Sequence, residues 1–254
     1  MTSNSSPSPR FFPMKILLTK TGRKFFVKDV EHDFHCQYGY VKANELKKAK
    51  AGDRLKTNTG NELLVAEPQF IDLYQKIKRG PQIIAPKDIG SIIAETGINK
   101  NCVVVDAGGG SGALCFFLAN ICKKVITYEV REDFVEILKK NKEFLSLKNI
   151  TIKNKDIYNG IDEKKLDLIT LDLPEPWKVI GHAEKALKPG GFLVSYSPSI
   201  PQVSDFAEAV KKSELIVLKT KEVLERKWEF DERKIRPYTK MLAHTGFLTF
   251  CRKV

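Results

Sequence analysis

The chain has 254 residues and a mass of 28.8 kDa, room for one sizeable α/β core and a small accessory domain. Hydrophobic residues make up 42%, charged residues 29% and the net charge is +12, a balance that suits a soluble partner of polyanions. No apolar run reaches spanning length, and Cys36, Cys102, Cys115, Cys122 and Cys251 form no C-x-x-C pair, so a transmembrane helix, a zinc site and a dense disulfide framework are excluded. No metal is expected, and the thiol usage reads as cytoplasmic.

In chain order, residues 1–13 are rich in Ser and Pro without the apolar stretch of a signal peptide; they read as a disordered leader, with Met14 as a second candidate start. Residues 14–75 read as a small, mostly β domain. Short strands are expected over 16–18, 24–27 and 62–65, with turns at Thr21-Gly22, Gln37-Tyr38-Gly39 and Asn58-Thr59-Gly60 and a helical turn within 41–50. Residues 1–80 carry a net +7 of the charge and the remainder +5, so the excess is concentrated at the front.

From 76 to 254 helix and strand alternate. Asp88 is expected to cap a helix over 89–96 that Gly97 ends, and 102–105 is a continuous apolar strand of the kind buried on both faces of a parallel sheet. Helices over 113–120, 132–144, 179–187 and 201–211 alternate with strands over 124–128, 150–153, 166–171 and 192–196, and strands over 215–223 and 246–251 close the pattern. The assembly is α/β, an open parallel Rossmann-like sheet of seven strands whose last, antiparallel strand belongs to a C-terminal hairpin.

Asp106-Ala107-Gly108-Gly109-Gly110-Ser111-Gly112 follows the first apolar strand of this domain and opens a helix. Glycines there allow a tight turn and a close ligand approach. Glu129 ends the next strand 23 residues after Asp106, placed to accept from ribose hydroxyls. A nicotinamide dehydrogenase would want G-x-G-x-x-G; here the spacing is D-x-G-x-G-x-G, and Asp106 suits a cationic ligand better than a pyrophosphate. Asp172-Leu173-Pro174-Glu175-Pro176-Trp177 follows the fourth strand of the sheet and so faces the same crevice. Prolines stiffen that loop, Trp177 offers a flat apolar surface, and Asp172 is the best candidate for a catalytic group.

These motifs resemble the tRNA (adenine-N1)-methyltransferase family of the TrmI type, whose members are class I S-adenosyl-L-methionine-dependent enzymes. Four stretches carry the resemblance in order: residues 79–88, reading RGPQIIAPKD; residues 106–114; residues 172–177, reading DLPEPW; and Ile235-Arg236-Pro237 with residues 243–248. The resemblance implies a tRNA-binding homotetramer that methylates adenine 58 of the T-loop, with position 57 as a second target in archaeal relatives. It implies that the N-terminal domain contacts tRNA or supports the oligomer. It also implies a cofactor pocket of Gln82, Ile84, Asp106, Gly108, Gly110, Ser111, Gly112, Ala113, Leu114, Glu129, Asp156 and Asp172, and a substrate face with Pro174, Trp177, Arg236 and His244.

The chemistry fits. N1 of adenine has an in-plane lone pair and needs no base; the protein must aim it and offset the charge that develops. A carboxylate accepting from the exocyclic amine does both, and the base must first be flipped from its stack. His244 reads equally as an RNA contact or as a hairpin histidine with a local hydrogen bond. Ala85 stands where the family usually has Tyr or His, and Gly109 replaces a Thr or Val, which would loosen the glycine loop. The alternatives are a class I methyltransferase acting on another RNA or on a small molecule such as a precorrin, a DNA methyltransferase, and an RNA-binding subunit without catalysis. The intact cofactor loop argues against the last.

Overall fold

A computed structural model describes residues 14–81, 83–231 and 233–254. The leader expected over 1–13 and the candidate cofactor residue Gln82 lie outside the described residues. The chain divides into two compact units, Met1–Lys76 and Ile77–Val254.

In the first unit β1 (Lys15–Leu18), β2 (Lys24–Val27), β5 (Arg54–Lys56) and β6 (Glu62–Ala66) form an antiparallel sheet in the order β2-β1-β6-β5. A separate hairpin joins β3 (Phe34–Cys36) to β4 (Gly39–Val41), and two short helices follow, α1 (Ala43–Lys48) and α2 (Phe70–Tyr74). Alternation turns Leu17, Leu63 and Val65 inward, where they meet Val27, Val30, Val41 and Leu46. The strands β3, β4 and β5 are absent from the sequence expectation. Three residues each are too few to show a period.

The second unit is a seven-stranded sheet flanked by helices. Its elements are α3 (Pro86–Thr96), β7 (Val103–Ala107), α4 (Ala113–Ile121), β8 (Lys124–Tyr128), α5 (Glu132–Phe144), β9 (Ile150–Lys153), β10 (Leu166–Leu171), α6 (Ile180–Ala186), β11 (Leu187–Ser197), α7 (Ile200–Val210), β12 (Leu215–Glu222) and β15 (Phe247–Lys253). The strand order is β12-β15-β11-β10-β7-β8-β9, with β15 antiparallel to both of its neighbours. From β7 the chain builds outward through β8 and β9, then returns to lay β10 on the other side of β7. That reversal opens a crevice at the carboxyl ends of β7 and β10. Val105, Ile126, Leu166, Ile169, Leu193 and Phe206 belong to the apolar core beneath it.

Three expectations are corrected. Asp88 does not cap α3: Ala85 is the extended residue before it, Pro86 starts it with a φ suited to the first turn, and Asp88 is buried with its side chain engaged elsewhere. The helix expected over 179–187 is a 3-10 turn, Pro176–Val179, followed by α6. The Lys-Pro-Gly-Gly stop after it is a bulge inside β11, because pairing with β10 jumps from Leu187 to Phe192 and leaves Lys188 to Gly191 looped out. Between β12 and β15 the chain makes a long excursion, residues 223–246, carrying a two-stranded ribbon of β13 (Trp228–Asp231) and β14 (Lys234–Pro237).

Asn141 of α5 is buried and joins the front of this unit to the glycine loop. Its amide donates to the carbonyls of Lys78 and Ser111 at 2.8 and 2.9 Å and its oxygen accepts from Lys78 N–H at 2.9 Å. Asn141→Ala should therefore lower stability by about 2 kcal/mol in urea unfolding without changing the slope, since it leaves buried backbone groups unpaired.

Candidate active site

Asp106, the residue before the last of β7, stands in register with Thr127 of β8 and Thr170 of β10. Both hydroxyls donate to its carboxylate, Thr127 at 3.1 Å to Oδ2 and Thr170 at 2.8 Å to Oδ1. Asp106 thus lies under the glycine loop and is not in the crevice wall. Burial raises its pKa to about 6; the two threonine hydroxyls pull it down and the Glu129 charge adds to the rise.

Above it, Gly108 and Gly109 donate to the Tyr128 carbonyl at 3.2 and 3.0 Å, which folds the loop back on the end of β8. Gly108 has φ +83°, and a Cβ there would sit 2.1 Å from the Asp172 carbonyl oxygen, so only glycine fits. Gly109 does not loosen the loop as its sequence suggested. A Cβ would lie 2.4 Å from Thr127 Oγ1 and 3.1 Å from Leu138, so its smallness seats the loop on β8 and α5.

Glu129 accepts from Gly110 N–H at 2.7 Å through Oε2 and from Arg131 N–H at 2.9 Å through Oε1. Two backbone donors fix the carboxylate and leave its remaining lone pairs toward the crevice. Ser111 Oγ is buried there and has no hydrogen-bond partner among the described residues. Asp172 donates its N–H to Ala107 at 2.8 Å, but its carboxylate makes no hydrogen bond or ion pair among the described residues. Burial drives that carboxyl up to about 7, and the Asp106 charge adds to the rise.

The crevice has a volume of ≈ 360 Å³ and gathers Gly108, Gly110, Ser111, Glu129, Asp172 and Pro174 of the expected residues. Pro81, Arg131, Phe134, Leu173, Pro198 and Gln202 complete its wall. Pro198 and Gln202 carry no motif of their own; only the rule that strand-end loops line such a crevice points to the turn after β11. Gln202 braces the site by donating to the Pro174 carbonyl at 3.1 Å.

The other expected residues stand elsewhere. Gly112, with φ +93°, precedes α4 with the Phe116 ring where a Cβ would go, and Ala113, Leu114 and Ile84 are buried behind the wall. Asp156 is exposed after β9 and accepts from Tyr158 N–H at 2.9 Å, capping a 3-10 turn. Trp177 is half-buried, packing against the apolar core as a strut of the substrate loop. Arg236 pairs with Glu229 on the β13–β14 ribbon at 3.2 Å. His244 bridges Glu222 Oε1 at 2.6 Å and the Pro198 carbonyl at 3.0 Å; with an acceptor at each ring nitrogen its pKa is raised and it favours the imidazolium.

A buried strand-end carboxylate, a glycine loop and a second carboxylate at the adjoining strand end suit a cationic ligand with a ribose. The comparisons agree. Residues 72–236 match the family described as the tRNA methyltransferase complex GCD14 subunit, and the chain is 35% identical to the tRNA (adenine(57)-N(1)/adenine(58)-N(1))-methyltransferase TrmI of Methanocaldococcus jannaschii, over 95% of each chain. The chain belongs to this tRNA methyltransferase family. Among solved structures, the methyltransferase superimposes on a SAM-dependent O-methyltransferase of Thermotoga maritima with a TM-score of 0.86 at 30% identity, covering 96% and 94% of the two chains. It superimposes on the tRNA (m1A58) methyltransferase TrmI of Aquifex aeolicus with a TM-score of 0.80 at 25% identity, covering 95% and 96%. Among the described residues no helix is long and apolar enough to cross a membrane, and no group of three or more His, Cys, Asp or Glu could hold a metal ion.

The raised Asp172 pKa contributes to how the stability of the free methyltransferase responds to pH. The folded chain keeps a proton on Asp172 that the unfolded chain, with a carboxyl near 3.8, has released, so stability falls as pH rises from about 4 toward 7. Asp172→Asn removes this loss. It should match the parent at pH 4 and exceed it by roughly 2 kcal/mol at pH 8, read by chemical denaturation without added ligand.

Proposed function

We propose that this methyltransferase transfers a methyl group from S-adenosyl-L-methionine to N1 of adenine 58 in the T-loop of tRNA, and that position 57 is a second target, as the name of the Methanocaldococcus relative gives for that protein. The carrying observation is Asp172, a carboxylate at the crevice edge with no partner among the described residues and a pKa lifted to about 7. The cofactor, when bound, supplies an electrophilic methyl group on a sulfonium cation. The Ser111 hydroxyl, without a hydrogen-bond partner among the described residues, and the crevice between the glycine loop and Asp172 fit such a ligand.

Glu129 would accept from the ribose hydroxyls, and Ser111 with the backbone from Gly108 to Gly112 would hold the amino-acid end. Ala113, Leu114, Ile84, Gln82 and Asp156 would shape the rest of that pocket. Asp106 lies too deep to touch a ligand and acts through its charge. Asp172 would accept a hydrogen bond from the adenine exocyclic amine, aim N1 and offset the positive charge that grows on the ring. Leu173 and Pro174 would support the flipped base on a loop stiffened by its prolines and by Trp177 behind it. The net +12 charge favours the tRNA backbone in a cytoplasmic setting.

The test is methyl transfer from labelled cofactor to unmodified tRNA, followed by nucleoside analysis. N1-methyladenosine at position 58 is expected, and Asp172→Ala should retain no more than about 1% of the rate. Label on ribose, or on an oxygen as the name of the Thermotoga structure states for that protein, would sink this reading. Because the carboxylate form is the active one, kcat/KM should rise with pH to a plateau above about 7, and that limb should vanish in Asp172→Asn.

We further propose that the enzyme works as a homotetramer. Ile216 and Leu218 on the edge strand β12, with Trp228, Phe230 and Ile235 on the ribbon, are exposed apolar groups next to an unpaired strand edge. Light scattering should give four times 28.8 kDa; a monomer would refute the assembly.

A further inference from the structure

Lys87 and Asp88 begin α3, a few residues after the Pro81 wall of the crevice. Both side chains are buried, and Lys87 uses all three of its ammonium protons. They go to Asp88 Oδ1 at 2.9 Å, the Val223 carbonyl at 2.6 Å and Thr245 Oγ1 at 2.6 Å. The Thr245 hydroxyl in turn donates to Asp88 Oδ2 at 2.7 Å, which closes a ring of three side chains. Val223 and Thr245 are the two roots of the 223–246 excursion. The ring therefore ties both ends of that excursion to the first turn of α3.

The same cluster reaches the substrate side of the crevice. Tyr196, near the end of β11, donates its hydroxyl to the Thr245 carbonyl at 2.6 Å, and Gly246 lies against its ring. His244 holds the Pro198 carbonyl, part of the crevice wall. Lys87, Asp88, Thr245 and Tyr196 do not line the crevice, and the glycine loop and Glu129 make no hydrogen bond to them. A buried ion pair is a poor way to gain stability but a good way to impose one geometry. The excursion it holds carries Arg226, Arg233, Lys240 and the exposed Tyr238, a set suited to RNA phosphates and bases.

We propose that Lys87, Asp88 and Thr245 are positioning residues for the substrate: they lock the 223–246 excursion beside the crevice so that the tRNA acceptor meets Asp172. This rests on the tRNA methylation proposed above. It separates tRNA engagement, which needs the ring, from cofactor binding, which does not.

Thr245→Val keeps the shape of the side chain and removes both of its hydrogen bonds, leaving the Lys87–Asp88 pair to hold the fold. The expected result is a KM for tRNA at least tenfold higher, with kcat within threefold and the dissociation constant for S-adenosylhomocysteine within twofold of the parent. Thr245→Ser, which retains the hydroxyl, should restore the parental KM. Trypsin should nick Thr245→Val between residues 226 and 240 faster than the parent, at temperatures where both remain folded. An unchanged KM overturns the proposal. So does a loss shared equally by KM, kcat and cofactor affinity with Ser no better than Val, because that is the signature of plain destabilisation. If the parent methylates no tRNA, the functional reading fails by itself, and the trypsin comparison decides the lock: equal nicking overturns it and faster nicking sustains it.

Discussion

The ends of β7 and β10 meet with no space for a side chain between them. A single added carbon on Gly108 would collide with the Asp172 carbonyl oxygen. That approach sets the rest of the site. It puts Asp106 under the loop and Asp172 at its rim, close enough for the Asp172 carboxyl to feel the charge of Asp106. It also forces the glycine loop to turn toward β8, where the Tyr128 carbonyl takes two of its N–H groups and Glu129 takes a third. An electronegative pocket whose carboxylates are already held in place is the outcome, before any ligand arrives.

The same arrangement works against the fold on its own. A carboxylate and a buried serine hydroxyl without partners among the described residues, and several left-handed backbone positions, are features that packing alone would remove. A cationic ligand with hydroxyl and carboxylate groups supplies what each lacks. The pocket is thus the part of the domain most dependent on what fills it, and the core under it, with Ile169, Leu193 and Phe206 fully covered, carries the stability.

Much of this was legible in the residues. The strands over 124–128, 150–153 and 166–171 and the helix over 132–144 lie where periodicity placed them, because each is buried on a face that leaves a clear pattern. The link from glycine loop to Glu129 to Asp172 was legible because strand-end positions in such a sheet are set by topology. What failed to show was set by contacts distant in sequence. Asp88 looks like a helix cap until Thr245, more than 150 residues later, is seen to claim its carboxylate. The packing of one side of Trp177 on the core also left no sign in its motif. Gly109 reads as looseness and proves to be tight seating. The ribbon of β13 and β14 did alternate, as Trp228-Glu229-Phe230-Asp231, but it projects from a connection with no sheet neighbour to give that alternation meaning.

The position of β15 has a consequence in time. The sheet leaves a gap between β11 and β12 that only the last strand fills, and β11 gains its outer hydrogen-bonded neighbour through the pairs from Phe192–Arg252 to Ser197–Phe247. As the ribosome delivers the chain from its amino end, β7 to β11 can assemble in sequence, yet the turn at Pro198 stays without its brace until residues 244–253 have cleared the exit tunnel. The nascent enzyme therefore shows an open strand edge beside a half-built crevice from the emergence of β11 until β15 arrives.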